Sequence, residues 1–291
     1  MFEDVTIGFI GGGNMGGAMV HGLVKQKLIA PERVIVSDPR VERGDELARL
    51  YGVRPTTDNL EAAIEADILV LSVKPQVLDQ VLPQVRKGAR TCSLVLSIVA
   101  GAPIRQIADG LANAAVVRVM PNTPAQIGQG VSVWTATTEV PEQQREQARL
   151  LLQALGEEIF VADEDYLDMA TALSGTGPAY VFLFMEAMID AGVHLGFSRY
   201  VAEKLVIQTM RGSVEFAAAS GQHMATLRNQ VTSPGGTSAE AIYQLEKGGL
   251  RTVVARAIWA AYQRSVGLGG GRKVSRLAGR HPDDNGPDEG D

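Results

Sequence analysis

Short apolar runs alternate with helical patterns through roughly the first 160 residues of the chain. The predicted strands are Thr6–Ile10, Val34–Ser37, Ile68–Ser72, Leu94–Ser97, Val116–Met120 and Val131–Thr135. Between them, apolar residues recur at helical spacing, as from Val77 to Val85. The strands themselves show little alternation of apolar and polar residues, which is typical of a parallel sheet covered on both faces. The pattern therefore predicts an α/β fold.

The pattern changes near residue 163, and no strand is predicted from Tyr166 to Gly267. The segment from Tyr180 to Leu195 is apolar on nearly every side of a helix, with Glu186, Asp190 and His194 as the exceptions. A helix with this pattern is buried all round. A domain of about a hundred residues is too small to cover it alone, so we expect a partner subunit to do so.

These patterns predict three parts of the chain. Residues 1–162 form a doubly wound α/β domain, and residues 163–268 form an all-α domain. The Gly-rich exit and the acidic, Pro- and Gly-containing residues 269–291 are predicted to be a disordered tail.

Composition excludes several classes of protein. The net charge is −6, and the last eleven residues hold five acids, so the rest of the chain carries about −1 and offers no basic face for nucleic acid. The one cysteine, Cys92, lies in an apolar run, where we expect a buried strand residue in a reducing compartment. We expect no membrane span and no signal peptide, and hence a cytoplasmic protein.

A glycine-rich motif follows the first predicted strand. Gly11-Gly-Gly13-Asn-Met-Gly16 matches G-x-G-x-x-G and opens a helix, the context that a dinucleotide site requires. Gly11 permits the tight turn, Gly13 allows a pyrophosphate to approach the backbone, and Gly16 lets the helix and strand pack closely. The helix N-terminus supplies N–H groups for the phosphates. A tight structural turn is the alternative interpretation.

The second strand ends at Asp38-Pro-Arg40. An acid at this distance from the glycines binds the ribose hydroxyls of NAD and would repel the 2′-phosphate of NADP. Arg40 would instead bind that phosphate, or it is a solvated charge at the start of a helix. The sequence leaves the choice between NAD and NADP open.

A second candidate site lies at Val231-Thr-Ser-Pro-Gly-Gly-Thr-Ser238. Thr237 and Glu240 have the spacing of a capping box, which predicts a helix from there to about Lys247. Pro234-Gly-Gly236 exposes backbone N–H groups to an anion such as a carboxylate, and Ser238 adds a hydroxyl. An ordinary capped turn explains these residues equally well. Ser174-Gly-Thr-Gly-Pro178 forms a similar polar bend.

The scarcity of lysine and the spacing of the histidines limit the kinds of reaction that this chain could catalyse. No lysine occurs between Lys87 and Lys204, and the four histidines have no metal-ligand spacing. His194 and His223 are interpreted as helix-end or surface residues. We therefore expect a reaction that needs neither a metal nor a dedicated acid or base.

Together these motifs resemble the pyrroline-5-carboxylate reductase family over the chain to about Leu268. The matching segments are Gly8-Phe-Ile-Gly-Gly-Gly-Asn-Met15, Val73-Lys-Pro-Gln76, Val119-Met-Pro-Asn-Thr-Pro124, Leu173-Ser-Gly-Thr-Gly-Pro-Ala-Tyr180, Val231-Thr-Ser-Pro-Gly-Gly-Thr-Ser238 and Leu245-Glu-Lys-Gly-Gly-Leu-Arg251. The resemblance implies reduction of the ring imine of pyrroline-5-carboxylate to L-proline by NADPH or NADH. It also implies that residues 1–162 are a Rossmann-type dinucleotide-binding domain and that residues 163–268 are a helical substrate and dimerisation domain. The implied assembly is a homodimer, often assembled further into a decamer of five dimers.

The resemblance also implies site residues. The cofactor would contact Ile10, Gly11, Gly12, Gly13, Asn14, Met15, Asp38, Asn59, Ser72, Val73, Lys74, Pro75, Ala100, Gly101 and Asn122, with Thr123 near the nicotinamide. The substrate would contact Thr176, Val231, Ser233, Gly236, Thr237 and Ser238. Ser238 is the implied catalytic residue, with its hydroxyl near the substrate nitrogen. The family usually has Thr at this position, so the hydroxyl is kept and the methyl group is lost.

Two other classes share parts of this plan. A hydroxyacid dehydrogenase of the 6-phosphogluconate type has the same two domains, but it resembles this chain less because it uses a catalytic lysine on the second domain's helices. A dinucleotide-binding scaffold without catalysis would not need the second anion site.

A protonated imine already carries positive charge, so it accepts hydride once it is aligned and shielded from water.

Overall fold

The computed structural model describes residues 2–269, in which the chain forms eight strands and twelve α-helices. The predicted tail therefore lies, from residue 270 onward, outside the described residues. The strands are β1 (Ile7–Ile10), β2 (Val34–Ser37), β3 (Arg54–Thr56), β4 (Ile68–Leu71), β5 (Leu94–Ser97), β6 (Val116–Met120), β7 (Gly130–Ala136) and β8 (Gly156–Phe160). The helices are α1 (Asn14–Lys25), α2 (Val41–Tyr51), α3 (Asn59–Glu65), α4 (Leu78–Ala89), α5 (Ile104–Leu111), α6 (Glu142–Gln153), α7 (Asp165–Ala170), α8 (Gly177–His194), α9 (Arg199–Ser220), α10 (Met224–Gln230), α11 (Thr237–Lys247) and α12 (Leu250–Leu268).

All eight strands belong to one sheet with the order β3-β2-β1-β4-β5-β6-β7-β8. The first six strands are parallel, which confirms the predicted Rossmann-type arrangement. The prediction of a wholly parallel sheet is wrong at β7, which runs antiparallel to β6 and parallel to β8. The chain reverses its direction of winding between β1 and β4. In doubly wound sheets, ligands bind at the carboxyl ends of the strands at such a point.

Both faces of the sheet are buried, as the continuous apolar strands predict. On one face, alternate residues of the strands pack with α1 and α6, which contribute Met19, Leu23 and Leu151. On the other face they pack with α3, α4 and α5, where Val85 and Ile107 are fully buried. The two faces hold the strand ends rigidly, which is what a binding site at those ends requires.

Contacts divide the chain into two compact units. The first contains the residues up to Gly175 together with those from Ala261 onward, and the second contains Thr176–Ala260. This division by contacts lies after Gly175, and the 162–163 domain boundary stays a prediction.

A buried ion cluster attaches α7 and the end of α12 to the sheet. Arg118 of β6 is 4% exposed and pairs with Glu164, with 2.7 Å between Nη1 and Oε1. Its Nη2 lies 3.7 Å from Oδ1 of Asp168, and the Ser265 hydroxyl donates to the same oxygen at 2.7 Å. A buried guanidinium requires such partners, so these residues belong physically with the sheet.

The second unit is all α-helical, as predicted. No residue of α8 is buried within the single chain, and Phe182 and Leu183 are 62% and 67% exposed. The predicted burial of this helix is therefore not provided by its own chain. Large exposed apolar patches of this kind mark association surfaces.

Within residues 2–269, one helical stretch, Asp165–His194, is long and apolar enough to cross a bilayer by length and composition alone. This differs from the expectation that no segment is long enough. The difference arises because only a few charged residues interrupt the run, among them Glu186 and Asp190.

Candidate functional site

The glycine loop follows β1 at the point where the sheet changes its winding. Gly11 has a φ of +105°, and a Cβ atom there would lie 2.7 Å from the Ser72 carbonyl oxygen. A Cβ at Gly16 would overlap the carbonyl of Gly11. A Cβ at Gly13, by contrast, would meet no atom within 4 Å. Protein packing thus explains the glycines at positions 11 and 16, while the space at Gly13 is open to a ligand.

Helix α1 begins directly after Gly13 and presents free donors. No side chain caps it, and its first turn contains no acid. Among the described residues, the N–H groups of Gly13, Asn14 and Met15 have no hydrogen-bond partner. Free N–H groups and the positive end of the helix dipole together favour a phosphate at this position.

Asp38, at the end of β2, holds the loop from the side. It is 4% exposed, and its carboxylate accepts hydrogen bonds from the Gly12 N–H at 3.0 Å and the Arg40 N–H at 3.0 Å. The Arg40 side chain donates to both carboxylate oxygens, at 3.0 and 3.2 Å. Burial alone would raise the pKa of Asp38, but these hydrogen bonds outweigh it and place the pKa below its ordinary value.

This pairing changes the interpretation of the two charges. The sequence suggests that Asp38 and Arg40 act on the ribose in opposite directions, but in the structure they form an ion pair. Arg40 neutralises the carboxylate, so Asp38 repels a 2′-phosphate less than a free acid would. The Arg40 side chain remains 64% exposed at the edge of this site.

The end of β4 contributes the next group of predicted residues. The Ser72 hydroxyl donates to the Gly11 carbonyl at 2.6 Å, so it supports the loop. Val73 and the exposed Lys74 follow, and Pro75 then begins a short 3₁₀ turn. Asn59, at the start of α3, accepts from the Ser37 hydroxyl and donates to Gln84, both at 2.7 Å. These side chains lie around the carboxyl ends of β1, β2 and β4.

The predicted residues beyond β5 and β6 lie at the same edge of the sheet. Ala100 and Gly101 form a turn, in which Gly101 has a φ of +70° and lies against Leu268 of α12. Asn122 follows β6 and is 9% exposed. Its amide donates to the Ser174 carbonyl at 3.3 Å and accepts from the Val131 N–H at 2.9 Å. Asn122 therefore supports the backbone here, although it was predicted as a cofactor ligand, while Thr123 begins the 3₁₀ turn Thr123–Ile127.

The segment that ends at Gly175 has an unusual backbone. Residues Thr171–Gly175 form a π-helix between α7 and α8, with the Ser174 hydroxyl bonded to the Ala170 carbonyl at 2.9 Å. π-Helical turns are frequently found at functional sites. Thr176 follows as the N-cap residue of α8.

The second candidate site forms at the start of α11. Ser233 to Gly236 make a tight turn, in which the Gly236 N–H donates to the Ser233 carbonyl at 3.0 Å and Gly235 has a φ of +70°. Proline followed by a glycine with positive φ is the signature of a type II turn. Val231, just before the turn, is exposed.

The predicted capping box is wrong. Gly236 is the N-cap residue of α11, no side chain caps the helix, and Thr237 is its first helical residue. The side chain of Glu240 instead accepts from Gln244 at 3.0 Å. Among the described residues, the N–H groups of Thr237 and Ser238 have no partner. The start of α11 is therefore more open to an anion than the sequence suggested.

Within residues 2–269, no group of three or more His, Cys, Asp or Glu side chains is placed to hold a metal ion. His194 ends α8, and His223 caps α10 by accepting from the Ala225 N–H at 3.2 Å, as predicted. Cys92 is buried but lies before β5 and not within a strand, and burial raises the pKa of its thiol to about 11.

Sequence reasoning missed Arg43 of α2. Its Nε donates to the Gly12 carbonyl at 2.6 Å, and its Nη1 donates to Glu46 at 2.6 Å. In the sequence it is one of several charges on an amphipathic helix, and nothing there distinguishes it from a solvated residue.

Fold and site together define a class of protein: a Rossmann-type oxidoreductase domain joined to a helical unit in which α11 has an uncapped start. A family model described as "NADP oxidoreductase coenzyme F420-dependent" matches residues 6–101. A second, described as "Pyrroline-5-carboxylate reductase dimerisation", matches residues 164–268. The chain belongs to the pyrroline-5-carboxylate reductase family, as the resemblance of its motifs predicts.

Similar proteins agree over nearly the whole chain. A pyrroline-5-carboxylate reductase from Synechocystis is 42% identical over 91% of this chain and 99% of its own length. A structure of a pyrroline-5-carboxylate reductase from Coxiella burnetii has 37% identity and a TM-score of 0.83, covering 91% of this chain and 98% of that one. The Plasmodium falciparum pyrroline carboxylate reductase, crystallised with NADP bound, has 33% identity and a TM-score of 0.83, covering 92% of this chain and 99% of that one.

Proposed function

We propose that the chain reduces L-1-pyrroline-5-carboxylate to L-proline with NADPH, and also accepts NADH. One hydride and one proton are added across the C=N bond of the ring, and the dinucleotide leaves oxidised. The observation that carries the proposal is the family match of both parts of the chain together with two uncapped helix starts.

The first helix start would hold the dinucleotide. The donors at Gly13, Asn14 and Met15 would bind the pyrophosphate, and the open space at Gly13 would let it approach. The other proposed cofactor contacts, from Asp38 to Asn122, surround this loop at the strand ends. The bound dinucleotide supplies the hydride.

The second helix start would hold the substrate carboxylate. The free N–H groups of Thr237 and Ser238 are suited to this anion, and the glycine turn before them leaves space for it. Thr176, Val231 and Ser233 are proposed as further substrate contacts. The Ser238 hydroxyl has no hydrogen-bond partner among the described residues, so it is free to bind the ring nitrogen.

Little further chemistry is needed from the protein. The imine nitrogen of the protonated substrate is positive, so the adjacent carbon accepts hydride without a strong acid nearby. The residues of this chain would bind the imine and the dinucleotide, orient them and exclude water, and such positioning can supply a large part of a rate acceleration.

The proposed cofactor preference follows from the ion pair at the end of β2. Because Arg40 neutralises Asp38, the site tolerates the 2′-phosphate, and the exposed guanidinium offers it a donor. NADH would bind through the same loop without this contact. The Plasmodium falciparum relative with NADP bound supports this assignment.

We also propose that the chain works as a homodimer in the cytoplasm, and that its dimers assemble into decamers. The dimerisation-family match and the exposed apolar surface of α8 support the dimer. The family resemblance alone suggests the decamer.

A substrate panel tests the proposed reaction. The purified protein is assayed with pyrroline-5-carboxylate plus NADPH or NADH, and with 6-phosphogluconate and small 2-hydroxy acids plus NADP or NAD. We expect turnover only with pyrroline-5-carboxylate. Turnover of a hydroxy acid would favour the dehydrogenase alternative, and cofactor binding without any turnover would favour a scaffold.

A further inference from the structure

The glycine loop is conformationally flexible by itself. Gly11, Gly12 and Gly13 are consecutive, and glycine permits many backbone conformations, so the peptide groups between them can rotate easily. A loop that binds a pyrophosphate through its N–H groups needs them to point in a fixed direction before the ligand arrives.

Two charged side chains fix two successive peptide groups of this loop. The Asp38 carboxylate accepts the Gly12 N–H at 3.0 Å and so holds the peptide between Gly11 and Gly12. The Arg43 Nε donates to the Gly12 carbonyl at 2.6 Å and so holds the peptide between Gly12 and Gly13. In a trans peptide the C=O and N–H groups point in opposite directions. Arg43 therefore sets the direction of the Gly13 N–H, which is the first free donor of the loop.

The guanidinium is itself held in place. Its Nη1 donates to Glu46 at 2.6 Å, and only 23% of the side chain is exposed. Its Nη2 occupies the space beside Gly17 of α1, where a Cβ atom would overlap it. The next nearest atom to that Cβ, a methyl carbon of Leu47, is at an ordinary distance of 3.5 Å. Gly17 thus leaves room for the arginine.

We infer that Arg43 is a positioning residue for the dinucleotide: it orients the Gly12–Gly13 peptide so that the loop is ready for the pyrophosphate, common to NADPH and NADH. The inference rests on the proposed function only in taking this loop as the cofactor site. It differs from a role in binding the 2′-phosphate, because a residue that acts through the pyrophosphate affects both dinucleotides equally.

The test measures the Kd of NADPH and of NADH by calorimetry on the full chain, for Arg43→Met and for the control Arg49→Met. Arg49 lies on the same helix, is exposed and has no ion pair among those of the described residues, so the change of charge is matched. For Arg43→Met we expect both Kd values to rise about tenfold, the factor that one hydrogen bond from a charged donor represents. Arg49→Met should leave both unchanged within about twofold.

Gly17→Ala provides a second, independent perturbation. The added methyl displaces the guanidinium, while alanine favours the helix more than glycine does. We expect a thermal midpoint equal to or above that of the wild type, with weaker binding of both dinucleotides. If Arg43 only stabilised the fold, the variant would lose thermal stability together with dinucleotide binding. This variant also keeps the test decisive if Arg43→Met does not fold.

Three results would overturn the inference: unchanged Kd values in Arg43→Met, a loss restricted to NADPH, or Gly17→Ala with normal binding. Kinetics add one more readout, since the KM for the imine should not change. The three binding results do not depend on which substrate the protein reduces, so the inference and the proposed function fail separately.

Discussion

Replacement of Ser238 by alanine tests the proposed catalytic residue. Ser238 is the second helical residue of α11, and its hydroxyl has no hydrogen-bond partner among the described residues. The fold therefore loses no hydrogen bond in Ser238→Ala, and alanine has the higher helix propensity, worth at most a few tenths of a kcal/mol here. We expect a thermal midpoint close to that of the wild type.

The effect on turnover should be much larger. If the hydroxyl bonds the ring nitrogen as its charge is lost, one hydrogen bond to a charged group contributes roughly 1.5–3 kcal/mol. The catalytic efficiency for pyrroline-5-carboxylate should then fall roughly ten- to a hundredfold. NADPH binding should be unchanged, because the loop at Gly13 belongs to the other unit.

The assay is steady-state oxidation of NADPH at varied imine concentration, with the cofactor Kd and the thermal midpoint measured in parallel. Ser238→Thr should be active, since it restores the residue usual in the family. Ser213→Ala is a matched control, because Ser213 is exposed on α9 of the same unit. A Ser238→Ala enzyme within about twofold of the wild type would refute the catalytic assignment.

Further changes test the other parts of the account. Asp38→Ser should raise the ratio of kcat/KM for NADPH to that for NADH, because it frees Arg40 for the 2′-phosphate. An unchanged ratio would show that the Asp38–Arg40 ion pair does not influence the cofactor preference. Gly13→Val should fold normally, since its Cβ meets no atom within 4 Å, yet it should bind neither dinucleotide measurably in calorimetry; normal binding would place the pyrophosphate elsewhere. Leu183→Glu places a charge on the exposed apolar face of α8, so ultracentrifugation should find monomers; an intact dimer would exclude this face as the interface.

Much of the fold could be predicted because its signals are local. Strands β2, β5 and β6 have the predicted bounds, since apolar runs between helical patterns mark them clearly. The strands β3 and β8 were missed for different reasons. Strand β3 is three residues long and contains Pro55, which disfavours strands, and β8 contains Glu157 and Glu158 on an exposed edge of the sheet.

The parts of the site that sequence reasoning missed depend on turn geometry, side-chain conformation and packing, which residue spacing does not specify. The spacing of Thr237 and Glu240 fits a capping box, but Gly236 takes the N-cap position because the preceding turn ends there. The pairing of Arg40 with Asp38 depends on the conformation of two side chains just after β2. The contact of Arg43 with the Gly12 carbonyl forms only when α2 packs beside the glycine loop. Periodicity along a chain carries no information about such contacts.

The most direct test of the central claim follows the hydride itself. The protein is incubated with pyrroline-5-carboxylate and with NADPH that carries deuterium on the transferring face of the nicotinamide, and the product is analysed by mass spectrometry. We predict L-proline that contains one deuterium, on the ring carbon of the former C=N bond. L-Proline without deuterium, or no proline while the cofactor is oxidised, would contradict the account.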